Sequence, residues 1–422
     1  LRSDKLPELR LKRGNVIKME GFASLHVKEG KVSIIGGLHD KWAKVVIPRA
    51  KSIPIEAESD AIIEYMLGPS GKMEKLQGRT IPREWDTLVE EIVTKKPRVV
   101  LILGEVDAGK SFLSTYIANM LSRKNLRIAV VDGDAGQSDV GPPTTLGIVV
   151  VNKPVVFLQD VSAHATYFIG SMSPAGHILE FMVGIKRMVE RGLKNADVVV
   201  VNTAGWISGG PGRAFRLYEM ELLNPDMIVA LQRGRELEHL LKSMDQSKIR
   251  RIAVSKQIRP RSRSDRTFLR ELALARYFEG AGRLILDLRK VLLERCYFRT
   301  GEPIDPKSLG DTSIVHAEKM PEGLFIVVSG ELSDNKAQEL TAKFKNLHII
   351  RLWDAKNVIV GLADSNDELI GLGVIDEIDY AREKLVVVTP VKDASSIMAV
   401  QFGSMKITPS GREVGTIKPG TF

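Results

Sequence analysis

The feature that most restricts how this chain can fold is Gly104-Glu105-Val106-Asp107-Ala108-Gly109-Lys110-Ser111, set directly after Arg98-Val-Val-Leu-Ile-Leu103. The octapeptide fits G-x-x-x-x-G-K-[ST], and the pattern needs a strand before it and a helix after it. Both are present. Five aliphatic residues precede the loop, and Ser111-Phe112-Leu-Ser-Thr-Tyr-Ile-Ala-Asn-Met-Leu-Ser122 carries apolar residues at helical spacing. The glycines let backbone N–H groups surround a phosphate, Lys110 brings a compact positive charge to the outer phosphates, and Ser111 offers a hydroxyl to Mg²⁺. The helix after the loop points its positive end at the same anion. Residues Gly104 through Phe112 are therefore the expected triphosphate-binding segment.

Downstream, buried-type strands separated by helical patterns occur over 99–103, 127–131, 149–158, 198–201, 227–231 and 251–254. This alternation predicts an α/β fold, a parallel sheet covered by helices on both faces, with ligands at the carboxyl ends of its strands. Short alternating strands before residue 78 and after residue 306 predict β-rich accessory domains on either side. The expected division is 1–78, 79–305 and 306–422, in keeping with a length of 422 residues. One cysteine, Cys296, excludes an intrachain disulfide. No apolar run reaches a membrane-spanning length and the opening residues lack a signal-peptide pattern, so a soluble cytoplasmic enzyme is expected. Scarce glutamine and abundant Lys, Arg and Glu lean toward a thermophile.

The stretch Val130-Val-Asp132-Gly-Asp134-Ala-Gly-Gln137-Ser-Asp139 sets two carboxylates two residues apart at a strand end. That spacing would turn both toward the phosphate crevice, one to hold Mg²⁺ and the other to accept a proton from an attacking hydroxyl. A D-x-D turn capping the next segment is the structural alternative. The later strand end Asn202-Thr203-Ala204-Gly205-Trp206 sits where many GTPases read D-T-A-G. With Asn202 in the aspartate's place, the metal carboxylate falls to Asp132 or Asp134. The N-K-x-D base-reading pattern is also missing, which disfavours GTP. Trp206, on a glycine-rich loop, is suited to stack on a base or press on a sugar, or else to pack on a neighbouring helix.

The formal net charge is +9, and Lys248 to Arg270 holds nine basic residues against one acid, a local net of +8. Charge concentrated in this way attracts polyanions. The stretch containing Arg261 and Arg266 could supply guanidinium groups to a transferring phosphoryl, or be a solvated basic face, or contact a nucleic-acid backbone.

Taken in order, the G-x-x-x-x-G-K-S loop, D-x-D-x-G-Q, Tyr167-Phe-Ile-Gly-Ser-Met-Ser173-Pro174, Asn-Thr-Ala-Gly-Trp206, Arg261 with Arg266, and Arg276-Tyr-Phe-x-Gly280 resemble the polynucleotide 5′-hydroxyl kinase family. That family includes the pre-mRNA cleavage-complex kinase subunit and the nucleolar pre-rRNA-processing kinases. The resemblance covers residues 104–280 and suggests an archaeal or thermophile member. It implies ATP-dependent, Mg²⁺-assisted transfer of the γ-phosphate to the 5′-hydroxyl of RNA or DNA. RNA-processing proteins are the implied partners. By the same resemblance, Lys110 and Ser111 bind phosphate and metal, Asp134 is the general base, and Asp132 and Asp134 are metal carboxylates. Gln137, Thr203 and Trp206 form the acceptor side, Gln137 helping to position metal-bound water and Trp206 clasping the acceptor end, and Arg261 and Arg266 stabilise the transfer. Ala204 departs from the family, whose members often have proline there. An ATP-holding adaptor and a P-loop ATPase of the metal-insertion or partitioning type are the rival expectations. The second usually carries an early lysine where this chain has Glu105.

Overall fold

Val99–Leu103 is five aliphatic residues in a row, and all five are buried, as a strand covered on both faces requires. In the computed structural model, which describes residues 6–255, 258 and 260–422, this strand lies between two parallel neighbours. Among the described residues its sheet is seven-stranded with Ala165–Phe168 at one edge, and from there the order runs Thr145–Val151, Ile128–Gly133, Val198–Thr203, Val99–Leu103, Met227–Gln232, Ile249–Ala253. From Ile128–Gly133 to Ile249–Ala253 the pairings are parallel, whereas that of Ile128–Gly133 with Thr145–Val151 is antiparallel. The central sheet is thus mixed, where the alternation of elements predicted a parallel one.

Helix Lys110–Ser122 leaves the phosphate-binding loop and packs on Ile128–Gly133 and Val198–Thr203. Strand register aligns the ends of these strands. Asp132 lies beside Asn202 on the adjacent strand, and Asn202 lies in turn beside Ile102, two residues before Gly104. The three strand ends therefore deliver the loop, the acidic run and the Trp206 loop to one edge of the sheet.

The chain forms two compact units. The first comprises Leu1–Gly141, Leu146–Thr166 and Phe181–Leu269. Its amino-terminal part is two antiparallel sheets, ordered Glu8–Leu11, Ala61–Leu67, Ala23–Glu29, Lys44–Ile47 and Gly37–His39, Val32–Ile34, Ser52–Ala57, Val16–Glu20, Lys72–Leu76. Alternation along Ser52–Ala57, with Ile53, Ile55 and Ala57 inward, leaves one apolar face per strand. Those faces share a continuous core with Trp85, Leu88 and Ile92 of helix Arg83–Lys95 and with Tyr116 and Ile117 of the loop's helix.

The second unit contains Pro142–Thr145, Tyr167–Glu180 and Arg270–Phe422. One sheet runs Gly282–Asp287, Lys384–Thr389, Leu369–Asp379, Val358–Ala363, Ala399–Ile407, Leu292–Glu294, and a smaller one runs Glu302–Pro303, Ile314–Met320, Gly323–Val328, Leu347–Arg351. The pairing of Gly282–Asp287 with Lys384–Thr389 draws residues well upstream of 306 into the carboxyl-terminal sheet. The Tyr167–Pro174 motif lies in this unit, where Phe168 joins a core with Leu274 and Phe278. Cys296 is unpaired, and burial pushes its thiol up to about 12. Among the described residues no helix is long and apolar enough to cross a membrane.

Candidate nucleotide and phosphoryl-transfer site

The phosphate-binding loop is held by its own backbone and by two distant side chains. Gly109 has φ 93°, and a Cβ there would stand 2.1 Å from Ile258 Cδ1, so only glycine fits. Lys110 begins the helix, whose first turn carries no acidic residue, leaving its N–H groups and positive pole for an anion. The Lys110 ammonium donates to the carbonyls of Gly104 at 2.9 Å and Glu105 at 2.8 Å. It is 7% exposed, and burial pushes it down to about 8, an effect opposed by the Asp134 charge. Arg233 Nη2 donates to the Asp107 carbonyl at 2.8 Å from the next parallel strand end.

Beside the loop lies a cavity of about 670 Å³ within the first unit. Lys110, Ser111, Asp134, Gln137, Asp139 and Arg261 line its polar part. Phe112, Trp85 and Phe157 line an apolar part, and Arg49 and Lys51 reach in from the amino-terminal sheets. The Trp85 indole is fully buried and its Nε1 has no hydrogen-bond partner among the described residues.

The two carboxylates of D-x-D part company. Asp132 is 1% exposed and does not line the cavity. Its oxygens accept from the backbone N–H groups of Asp134 at 3.2 Å, Asp139 at 2.6 Å and Val140 at 3.2 Å, and from Asn202 Nδ2 at 3.1 Å. Burial, reinforced by the charges of Asp139 and Asp134, raises its carboxyl well above the usual range. Asp132 therefore pins the turn, and the expectation that both carboxylates face the crevice is corrected for this one. The strand ends at Gly133, so Asp134 no longer follows the pleat. Asp134 lines the cavity, and its Oδ1 accepts from Gly136 and Gln137 N–H, both at 3.0 Å. Asn202 does not replace a metal aspartate in kind. Its amide Nδ2 bridges Ser111 Oγ and Asp132 Oδ1, both at 3.1 Å, while its Oδ1 is buried without a partner among the described residues.

Thr203 is buried and its hydroxyl donates to the Ile102 carbonyl at 2.8 Å, inside the sheet. It does not line the cavity. Trp206 is half-buried and leans on Phe215, with ring centroids 5.9 Å apart. Gly205 allows the Trp206 loop to meet the phosphate loop, since a Cβ there would stand 2.5 Å from Val106 N. Beneath them, Arg216 and Glu219 form a wholly buried ion pair at helical i,i+3 spacing, and Arg216 Nε donates to the Trp206 carbonyl at 3.2 Å. Glu219→Ala would leave a buried guanidinium unpaired and is expected to destabilise the fold by about 3–5 kcal/mol. Chemical denaturation of the variant measures this, and a loss under about 1 kcal/mol would show that the pair carries little of the fold.

The basic window is not one surface. Arg250 pairs with Glu91 and Arg251 with Glu238 at the sheet edge, and Lys256 and Arg259 lie outside the described residues. Arg261 lines the cavity, and Arg266 Nη1 pairs with Asp107 Oδ2 at 2.9 Å.

Residues 104–280 match the family described as mRNA cleavage and polyadenylation factor CLP1 P-loop. A polyribonucleotide 5′-hydroxyl-kinase of Pyrococcus abyssi is 31% identical over 352 residues, covering 80% of this chain and 96% of that relative. This chain belongs to the polyribonucleotide 5′-hydroxyl-kinase family. A second such relative, from Methanocaldococcus jannaschii, is 30% identical over 77% of this chain and 91% of its own length. The archaeal source of both agrees with the archaeal expectation. A solved structure of the wild-type Clp1p–Pcf11p complex, 12% identical, matches with a TM-score of 0.65 over 96% of this chain and 98% of that chain, and it shows the same fold. Membership of a P-loop kinase family implies ATP and a divalent metal.

Sequence reasoning missed Asp139 as a site residue. Its carboxylate accepts from Lys51 Nζ at 3.0 Å and faces the Ser111 hydroxyl. Burial works to raise this carboxyl, but the Lys51 charge with the hydrogen bonds from Lys51 and Ser111 outweighs it and holds the group below the usual range. The available signal was its place five residues after Asp134 in the same run. Lys51 and Arg49 lay too far upstream of the loop for any local pattern to find.

Proposed function

We propose that this chain is an ATP-dependent polynucleotide 5′-hydroxyl kinase that acts on RNA ends. The observation that carries this is the Asp134 carboxylate, fixed through Oδ1 and facing the same cavity as Lys110 and Ser111. Among the described residues no hydrogen bond occupies Asp134 Oδ2. The names of the relatives support RNA as the acceptor class.

In this reading the adenine occupies the apolar part of the cavity against Phe112, Phe157 and Trp85. The triphosphate lies along the loop N–H groups, and Lys110 turns from the loop carbonyls to the β- and γ-phosphates. Among the described residues no trio of His, Cys, Asp or Glu forms a complete metal cage. The donors present are the Ser111 hydroxyl, the Asp139 carboxylate and the unpartnered Asn202 Oδ1, while Asp134, whose open oxygen takes the proton, would serve the metal through water. Such a sparse oxygen set suits Mg²⁺, which keeps waters and takes the rest of its ligands from substrate phosphates. Bound there, Mg²⁺ would neutralise charge on the β- and γ-phosphates. Asp134 accepts the proton of the RNA 5′-hydroxyl as its oxygen bonds to the γ-phosphorus and the bond to the ADP oxygen breaks. Arg261 and Arg266 offset the negative charge of the transferring group. Gln137 would orient water at a metal bound there, and Trp206 stacks on the acceptor end.

The test is incubation of the full chain with γ-labelled ATP and matched RNA and DNA oligonucleotides bearing 5′-hydroxyls. Label is expected on the RNA, and Trp206→Ala is expected to raise KM for the oligonucleotide by about 5- to 150-fold, the equivalent of one lost base stack. Bound ATP with no transfer to either acceptor would replace this reading with the adaptor.

A further inference from the structure

Asp107 occupies a variable position of the phosphate-binding loop, and a carboxylate is an odd choice for a loop built to hold phosphates, because like charges repel. It also has φ 56°, in the left-handed region where glycine would sit without strain. Its side chain is 14% exposed and points to the arginine-rich segment. Oδ2 accepts from the Arg261 backbone N–H at 3.1 Å and from Arg266 Nη1 at 2.9 Å. Arg266 Nη1 donates in addition to the Arg261 carbonyl at 3.0 Å, closing a ring of three bonds across the start of helix Arg263–Tyr277. The carbonyl of Asp107 is held by Arg233. The loop position is therefore fixed from both sides, and it fixes Arg261 and Arg266 in turn.

We infer that Asp107 is a positioning residue, which docks Arg261 and Arg266 on the phosphate-binding loop and so sets where the Arg266 guanidinium stands relative to the transferring phosphoryl. The inference rests on the proposed role of Arg266 in transfer. Two bonds from Nη1, one to the Asp107 carboxylate and one to the Arg261 carbonyl, restrict the guanidinium, and positioning of this kind is most of what phosphoryl transfer asks of a protein. The Arg266 charge in turn neutralises Asp107, so the carboxylate no longer opposes the triphosphate.

A double-mutant cycle in the full chain decides it. Arg266→Ala alone is expected to lower kcat by about 10³-fold. Asp107→Ala alone should lower kcat by about tenfold or more, with KM for the oligonucleotide within about twofold, and Asp107→Asn, which keeps an acceptor, should recover part of the loss. In the Arg266→Ala background, Asp107→Ala should change kcat by less than about twofold. Equal losses in both backgrounds would mean that Asp107 acts on the nucleotide by itself, and no loss in the native background would reduce the contact to a surface ion pair. Either result overturns the inference. A native rate for Arg266→Ala would sink the transfer role of Arg266 instead. Docking is then judged separately by trypsin cleavage after Arg261 and Arg263, which Asp107→Ala should accelerate several-fold. Unchanged cleavage would overturn the docking itself.

Discussion

Lys110→Ala is expected to lower the single-turnover rate of phosphoryl transfer by about 10³-fold and to weaken ATP binding. The ammonium is 7% exposed, at the start of a helix and beside the loop carbonyls. Water cannot replace a buried cation there, so the charge developing on the β–γ bridge would lose its nearest fixed partner. Folding should tolerate the change. Alanine suits a helix start, and removing the ammonium also removes a buried charge that costs desolvation, as its fall to about 8 indicates. The melting midpoint should move by no more than about 5 °C. A loss of rate under about tenfold, in protein that binds ATP and melts normally, would remove Lys110 from the chemistry.

Ser111, Lys110 and the strand before them were legible because their geometry is local. One strand, one loop and one helix turn contain everything the motif needs. The acidic run was only half legible, since period-2 alternation extrapolated from the strand sends Asp132 and Asp134 to the same face. The strand stops at Gly133, and the turn beyond it folds the N–H groups of Asp139 and Val140 back onto Asp132. Which carboxylate meets the cavity was decided by that turn. A similar slip affects the strand expected at 149–158, which instead spans Thr145–Val151. Pro154 interrupts the apolar run, and Val155 bonds through its backbone to the Asn119 amide rather than to a neighbouring strand. Arg216 and Glu219 stand on the buried face of helix Gly209–Leu223 with Phe215, Met220 and Leu223. No sequence pattern marks them as a pair, which is held by the Arg216 guanidinium lying 4.2 Å from the Phe215 ring centroid and by its bond to the Trp206 carbonyl.

Asp134→Asn is expected to lower kcat by about 10²- to 10⁴-fold with little change in KM for ATP. Asparagine keeps an oxygen where Oδ1 accepts from Gly136 and Gln137, so the loop should hold its shape. What it loses is the capacity to take up a proton at the second oxygen, the one left open toward the cavity. Asp132→Asn is the informative partner. That side chain already spends its oxygens on backbone N–H groups and the Asn202 amide, and an amide would set an N–H group against one of those donors. Its expected effect is a loss of stability with a smaller loss of kcat. Pre-steady-state transfer rates and melting midpoints for both variants separate the two roles. Should Asp132→Asn abolish transfer in a stably folded chain while Asp134→Asn leaves it intact, the base would be Asp132, reached by a rearrangement of the 134–140 turn that exposes it.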